Sequence, residues 1–267
     1  MNETVGISKA QLFLQQIKRQ EVPFGGHVFL QDPMITEIMA LTGYTYIWID
    51  GEHSSYTAEK IYAHILAAHA GGALSFVRVP WNDPVRLKPI LELNPDGIIV
   101  PMINSRKDAE RAVEACTYPP KGIRGLGPRR SNQYNNMDFS DYVENTRKTF
   151  LLALQIEHAD AVEHCDEILE VEGFDLVILG PLDMSASLGC PGKIGGDKVK
   201  SACLSVLEKC KKAGIPCGIS LGFNDLTLVK WWLDNGIDFL SSGDDLGFIQ
   251  SESARVLENL SNFKKGK

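Results

Sequence analysis

Several absences narrow what this 267-residue chain can be. No apolar run approaches the ~20 residues of a membrane-spanning helix. Basic residues are in deficit, with 27 Lys and Arg against 34 Asp and Glu and a net charge of −7. That balance excludes a general nucleic-acid binder, which needs a basic face. The opening MNETVGISKAQLF lacks the basic-then-apolar layout of a signal peptide, so a cytoplasmic location is expected. The cysteines (Cys116, Cys165, Cys190, Cys203, Cys210 and Cys217) include no CxxC pair and no metal-type spacing. Cys203 and Cys210 lie seven apart on a candidate helix, and buried free thiols are expected throughout. There is no GxGxxG fingerprint.

Hydrophobic residues make up 44% of the chain, enough for a large core. They fall in eight short apolar runs: residues 23–30, 45–50, 74–79, 97–102, 151–156, 176–179, 216–220 and 238–242. Near-continuous runs such as TYIWID (45–50) suit parallel strands covered on both faces. Helical stretches separate them. Ser8 with Gln11 reads as a capping box that opens the first helix. Asn82-Asp83-Pro84 reads as a helix start, and residues 246–260 read as a closing helix. Eight strand–helix units predict an α/β fold, a closed (β/α)8 TIM barrel formed by residues 1–267 as a single domain. None of the eight runs contains a lysine, which excludes Schiff-base aldolase chemistry inside the barrel. The irregular stretch 118–134, rich in Gly, Pro and Arg, has the length of a functional loop.

In such a barrel the carboxyl-end loops build the active site. Four runs deliver polar residues there: Asp50, Glu52 and His53; Arg78; Gln155 and Glu157; and Asp183. Glu157 and Asp183 are 26 residues apart, the length of one strand–helix–strand unit, which places both carboxylates on one rim. Two hard oxygen ligands suit Mg²⁺ or Mn²⁺; a helix-capping Asp and an ordinary rim Glu fit the same pattern. Period-two alternation puts Gln155 and Glu157 on one face and turns His158 away. His53, with Asp50 and Glu52 beside it in sequence, has the setting of a general base. Arg78 lies in an apolar strand, so it either pairs with a rim carboxylate or binds an anionic substrate. His27 in the first strand is a further candidate pocket residue. His64, His69 and His164 read as packed or solvated helix residues.

Five motifs in register resemble the HpcH/HpaI aldolase family: IDGEH (49–53), VRVPWNDP (77–84), YPPKGIRG (118–125), LQIE (154–157) and GPLDMSASLG (180–189). The resemblance is to its 4-hydroxy-2-oxoheptanedioate and 2-dehydro-3-deoxyglucarate aldolase branches. It implies a class II pyruvate aldolase that splits a 4-hydroxy-2-oxo acid into pyruvate and an aldehyde through a metal-stabilised enolate. It implies that Glu157 and Asp183 bind a divalent ion (Mg²⁺, Mn²⁺ or Co²⁺), that His53 is the base, and that Arg78 stabilises the transition state. Asp50 is counted with the catalytic group. Gln155, Gly180, Pro181, Leu182 and Asp183 would contact the keto acid. Glu92 aligns with an acid that raises the basicity of the histidine. A homo-oligomer is also implied, a hexamer built as a trimer of dimers that exchange the C-terminal helix. Two alternatives stand beside the aldolase: oxaloacetate decarboxylation through the same enolate, and a non-catalytic barrel that binds keto acids.

Overall fold

The computed structural model describes residues 8–222 and 225–265. The segment 1–7, most of the stretch read for a signal layout, lies outside the described residues. Eight parallel strands close into one barrel in chain order, β1 through β8. They are β1 (Phe24–Val28), β2 (Tyr46–Asp50), β3 (Leu74–Arg78), β4 (Gly97–Val100), β5 (Leu151–Ile156), β6 (Leu176–Leu179), β7 (Cys217–Ser220) and β8 (Phe239–Asp244). The helices are α1 (Lys9–Lys18), α2 (Met34–Leu41), α3 (Ala58–Ala70), α4 (Pro84–Glu92), α5 (Arg106–Cys116), α6 (Phe139–Asn145), α7 (Ala159–Glu163), α8 (Cys165–Leu169), α9 (Pro181–Ser187), α10 (Asp197–Ala213), α11 (Leu226–Asp234) and α12 (Asp245–Lys265). Among the described residues no helix is long and apolar enough to cross a membrane.

The helix boundaries follow local chemistry. Ser8 and Gln11 form the capping box that opens α1. Asp83 caps α4, with Pro84 at the first helical position. Gly214 ends α10 in the left-handed region at φ 71°. Five helices, α6, α7, α8, α9 and α11, were not delimited from the sequence. Of these, α9 matters to the site, because it places Asp183 in a first helical turn and not in a loop.

Strand alternation sorts side chains between two cores. Outward-facing residues such as Ile47, Ile49, Val77, Ile98 and Leu152 pack against the helices. The inward set (Tyr46, Trp48, Phe76, Ile99, Leu151, Ala153, Leu176, Ile178 and Phe239) fills the barrel. α1 closes the amino end by inserting Phe13, edge-on to Tyr46 at 5.7 Å and to Phe239 at 5.4 Å. Fully burying such a ring contributes roughly 1.5–3 kcal/mol. The same inward parity, continued one layer higher, supplies Asp50, Arg78, Gln155 and Ser220 at the carboxyl end.

Closure is irregular at one seam. Gly25 pairs with Ser241 but His27 pairs with Asp244, so β8 carries one extra residue there. Such a bulge re-aims a side chain at a barrel rim. Beyond the seam α12 is pinned by Asp245, whose Oδ2 accepts the backbone N–H groups of Phe29 (3.0 Å) and Leu30 (2.9 Å). From Ile249 to Phe263 every residue of α12 is exposed, so the helix runs free of its own barrel.

Candidate active site

The corner between β2 and β3 is tightly cross-braced. Gly51 donates its N–H to the Arg78 carbonyl at 2.8 Å, and a Cβ there would sit 2.6 Å from that oxygen. Only glycine fits so close an approach. Asp50 Oδ1 accepts the N–H groups of Glu52 (2.9 Å) and His53 (2.8 Å), which shapes the turn. Its Oδ2 is in close contact with Arg78 Nη2, while Arg78 Nη1 lies 3.0 Å from Glu52 Oε2. Arg78 also sits over the Trp48 ring at 5.3 Å. Burial alone would raise the Asp50 carboxyl, but the guanidinium and the two N–H donors outweigh it and hold it below the usual range. Glu52 is pushed up, mainly by burial.

This geometry settles the two readings of Arg78 in part: it pairs with rim carboxylates and also lines the cavity. Asp50 braces Arg78 and the turn, and does not touch the His53 ring. The nearest acid to that ring is Glu52, at 3.8 Å from Nε2. The His53 side chain is 59% exposed at the cavity mouth.

Across the barrel, Gln155 and Glu157 share the inward face as the alternation predicts. Gln155 Nε2 donates to Glu157 Oε2 at 2.6 Å. His158 turns outward, where Nδ1 accepts the Asp160 N–H at 3.2 Å. Glu157 Oε1 accepts the N–H of Met102 at 2.8 Å, and Met102 holds φ at 56° to present it. Burial raises the Glu157 carboxyl to about 8, with Glu52 and Asp183 adding to the rise and the Met102 N–H and Arg78 opposing it. Gly180 leaves the necessary room: a Cβ would lie 2.5 Å from Glu157 Oε2 and 2.9 Å from Gln155 Nε2.

Glu157 and Asp183 therefore form a carboxylate pair short of positive charge. A divalent cation fits that deficit, and hard oxygen donors are what Mg²⁺ or Mn²⁺ prefers. No set of three or more His, Cys, Asp and Glu side chains among the described residues is arranged to hold a metal. Glu157 and Asp183 are therefore the candidate carboxylates for such an ion.

The third part of the wall comes from β1, β7 and β8. His27 is buried, with Nδ1 3.1 Å from the Gly243 carbonyl and Nε2 2.9 Å from Ser220 Oγ. Burial pulls its pKa down to about 4. Together His27, Ser220, Asp244, Arg78, Gln155 and Asp183 enclose, with their neighbours, a cavity of about 400 Å³. Ser220 also sits in Gly218-Ile219-Ser220-Leu221-Gly222, which has the GxSxG spacing of a hydrolase nucleophile elbow. The structure does not support that role. The elbow's oxyanion hole uses the N–H of the residue after the serine, and the Leu221 N–H is bonded to the Ser241 carbonyl at 2.9 Å.

Glu92 falls elsewhere. It is the last residue of α4, which starts beyond the carboxyl end of β3 and runs back ~13 Å over nine residues. Its carboxylate is held at the other end of that helix by Arg124 (3.0 Å) and Ser131 Oγ (3.2 Å), so within one chain it does not reach His53. The remaining histidines match their packed or solvated reading. His64 is buried against Thr36 Oγ1 at 2.6 Å, His69 pairs with Asp96 at 2.6 Å, and His164 is exposed between α7 and α8. All six cysteines are free and all but Cys190 are buried.

Sequence reasoning missed three contributors. Met102 acts through its backbone, which no residue type signals. Asp244 reaches the cavity through the bulge. Ser220 could have been found from the inward parity of β7.

Known proteins resemble this chain in sequence and fold. The chain is 29% identical over 254 residues to the 5-keto-4-deoxy-D-glucarate aldolase of Salmonella paratyphi A, covering 95% of this chain and 96% of that one. It superposes on the HpcH/HpaI aldolase of Desulfitobacterium hafniense with a TM-score of 0.85 at 27% identity, over 92% of this chain and 95% of that one. A citrate synthase, SbnG, gives a TM-score of 0.83 at 26% identity, over 94% and 98%. The family model for HpcH/HpaI aldolase/citrate lyase matches residues 24–249. The chain is a member of the HpcH/HpaI aldolase/citrate lyase family, and a carbon–carbon lyase.

Proposed function

We infer that this lyase is a pyruvate aldolase acting on a 4-hydroxy-2-oxo acid. The observation that carries the reading is the meeting of Arg78, His53, Gln155 and Asp183 on one cavity at the carboxyl end of the barrel. Glu157 and Asp183 would hold a divalent ion (Mg²⁺, Mn²⁺ or Co²⁺). When bound, it supplies Lewis-acid polarisation of the keto carbonyl.

The chain's own groups account for the rest. Arg78, fixed between Asp50 and Glu52, presents guanidinium N–H groups to the oxygen on which negative charge develops. Gln155, locked to Glu157, holds the keto acid, together with the backbone from Gly180 through Leu182. His53 takes the proton from the 4-hydroxyl. The C4–O bond becomes a carbonyl as C3–C4 breaks, and the electron pair passes to C3 of the pyruvate enolate. A proton returned to C3 completes pyruvate, so atoms and charge balance. Two features support a second reading: His53 is more than half exposed, and Glu92 is engaged elsewhere. Oxaloacetate decarboxylation reaches the same enolate with no hydroxyl proton to remove.

The test is exchange of pyruvate methyl protons with deuterated water in the absence of aldehyde, alongside pyruvate release from a panel of 4-hydroxy-2-oxo acids. Exchange and release that both stop on chelation, and return with Mg²⁺, Mn²⁺ or Co²⁺, are expected. Full turnover after exhaustive chelation would remove the metal from the reading.

The same reading includes a homo-oligomer, a hexamer built as a trimer of dimers that exchange α12. Its support is the exposed apolar surface of that helix, with Leu257 65%, Leu260 57% and Phe263 80% exposed. Truncation after Gly247 should dissociate the assembly in light scattering. A stable monomer from the intact chain would sink it.

A further inference from the structure

We propose that the arc β7–β8–β1 is the recognition surface for the aldehyde half of the substrate, and that it selects an uncharged aldehyde bearing hydroxyl groups over one ending in a carboxylate. This rests on the pyruvate reading above, which assigns Arg78, Gln155, Glu157 and Asp183 to the keto-acid half and leaves this arc facing the other half.

Three observations carry it. First, the His27 tautomer is dictated by its partners. The Gly243 carbonyl at 3.1 Å can only accept, so Nδ1 carries the proton and Nε2 is the acceptor. Ser220 Oγ at 2.9 Å and Ser241 Oγ at 3.2 Å are the hydroxyls in reach of that nitrogen. When Ser220 donates to it, the lone pairs of Ser220 Oγ are turned toward the cavity it lines. His27 itself, 3% exposed and neutral, brings no charge.

Second, the one-residue bulge sets Asp244 opposite His27, where its carboxylate joins the cavity wall. Asp244 Oδ1 is anchored by the Gly247 N–H at 2.7 Å. The arc thus offers a hydroxyl and a carboxylate as acceptors. Groups that donate hydrogen bonds satisfy both, and substrate hydroxyls are such groups.

Third, the charges on the wall oppose a second anion. Among the described lining residues the carboxylates are Asp50, Asp183 and Asp244, and the only permanent cation is Arg78. Arg78 is already shared between Asp50 and Glu52. A substrate carboxylate on this arc would face Asp244 with no cation to offset it, and a like charge at such a site rejects the wrong ligand.

The test is condensation of pyruvate, with Mg²⁺ supplied, with glyceraldehyde, propanal and succinic semialdehyde, using the full-length chain. Each result is a ratio of kcat/KM values between acceptors, so losses common to both cancel. Wild type should favour glyceraldehyde over the semialdehyde by about tenfold or more. Asp244→Asn keeps the acceptor for the Gly247 N–H and removes the charge. It should move that ratio toward the semialdehyde by about tenfold. Ser220→Ala should cut the preference for glyceraldehyde over propanal roughly three- to tenfold, the effect of one neutral hydrogen bond. Equal use of glyceraldehyde and semialdehyde by wild type, or a ratio unmoved in Asp244→Asn, overturns the proposal. Pyruvate methyl exchange separates the two levels. Exchange with a flat acceptor panel condemns only this assignment, whereas no exchange in wild type brings down the pyruvate reading and this one with it.

Discussion

On the arc from β2 to β6, charged groups are locked to one another. Arg78 lies between Asp50 and Glu52, Gln155 holds Glu157, and the backbone of Met102 holds the other Glu157 oxygen. On the arc β7–β8–β1 the contacts are neutral, a buried imidazole between a carbonyl and a hydroxyl, with one carboxylate at its edge. The first arc resembles a preorganised electrostatic site, in which charge is positioned before the substrate arrives. The second resembles a specificity surface, where a single hydrogen bond changes preference by modest factors. Reaction type would then reside on the first arc and substrate choice on the second.

The largest expected effects fall on the charged arc. His53→Ala should lower aldol cleavage by about 10²–10⁴ while sparing oxaloacetate decarboxylation. Arg78→Ala should lower cleavage and pyruvate proton exchange together by about 10²–10³. Three rates on each variant check this, and equal loss of cleavage and decarboxylation in His53→Ala would contradict the role given to His53.

Gly180→Ala comes next. The added methyl must displace Glu157 or Gln155, and a shift near 1 Å in a reacting group typically costs about 10² in rate. The fold should persist, which circular dichroism would verify. Near-normal turnover would mean that the Glu157 position is not critical.

The neutral arc should show itself in acid. His27 has a folded pKa of about 4 against an ordinary 6.5, lowered by burial and Arg78 and opposed by Gly243, Asp50 and Asp244. Between those values the unfolded chain binds a proton that the folded chain refuses. Stability from this group is therefore complete above pH 6.5 and is lost as pH falls toward 4, by about 2 kcal/mol at pH 5. Urea unfolding at pH 7 and pH 5, compared between wild type and His27→Gln, should show a smaller acid loss in the variant. Parallel losses would show that His27 does not titrate as described.

The smallest effect expected is in Ser220→Ala, within about tenfold on acceptor preference, with cleavage chemistry otherwise intact. A loss as large as that of Arg78→Ala would erase the distinction between the arcs.

Much of the fold was legible because its signals are local. The strands 151–156 and 176–179 and the helix 58–70 keep the limits read from the sequence. Caps such as Ser8 and Asp83 act through neighbours only two or three residues away. The charged arc was legible too, because alternation on a strand fixes which residues face inward. What local pattern could not supply were relations between distant segments. Glu92 aligns with the family's acid, but within one chain it lies at the far end of α4, where Arg124, 32 residues on, holds it. Asp50 looked like a partner for the His53 ring, yet its oxygens are taken by Arg78 and the turn.

By itself, then, the sequence determined the eightfold alternation, the inward set of residues on each strand, and the carboxylates at the carboxyl rim. These follow from hydrophobic period and backbone propensity, which act over a few residues. The tertiary structure alone decided which acid braces Arg78, the backbone contact of Met102 with Glu157, and the register slip that turns Asp244 toward the cavity. The first two join segments 28 and 55 residues apart, and the last depends on how β1 meets β8 more than 200 residues away. Closing a barrel is a condition on all eight strands at once, so no single segment encodes it.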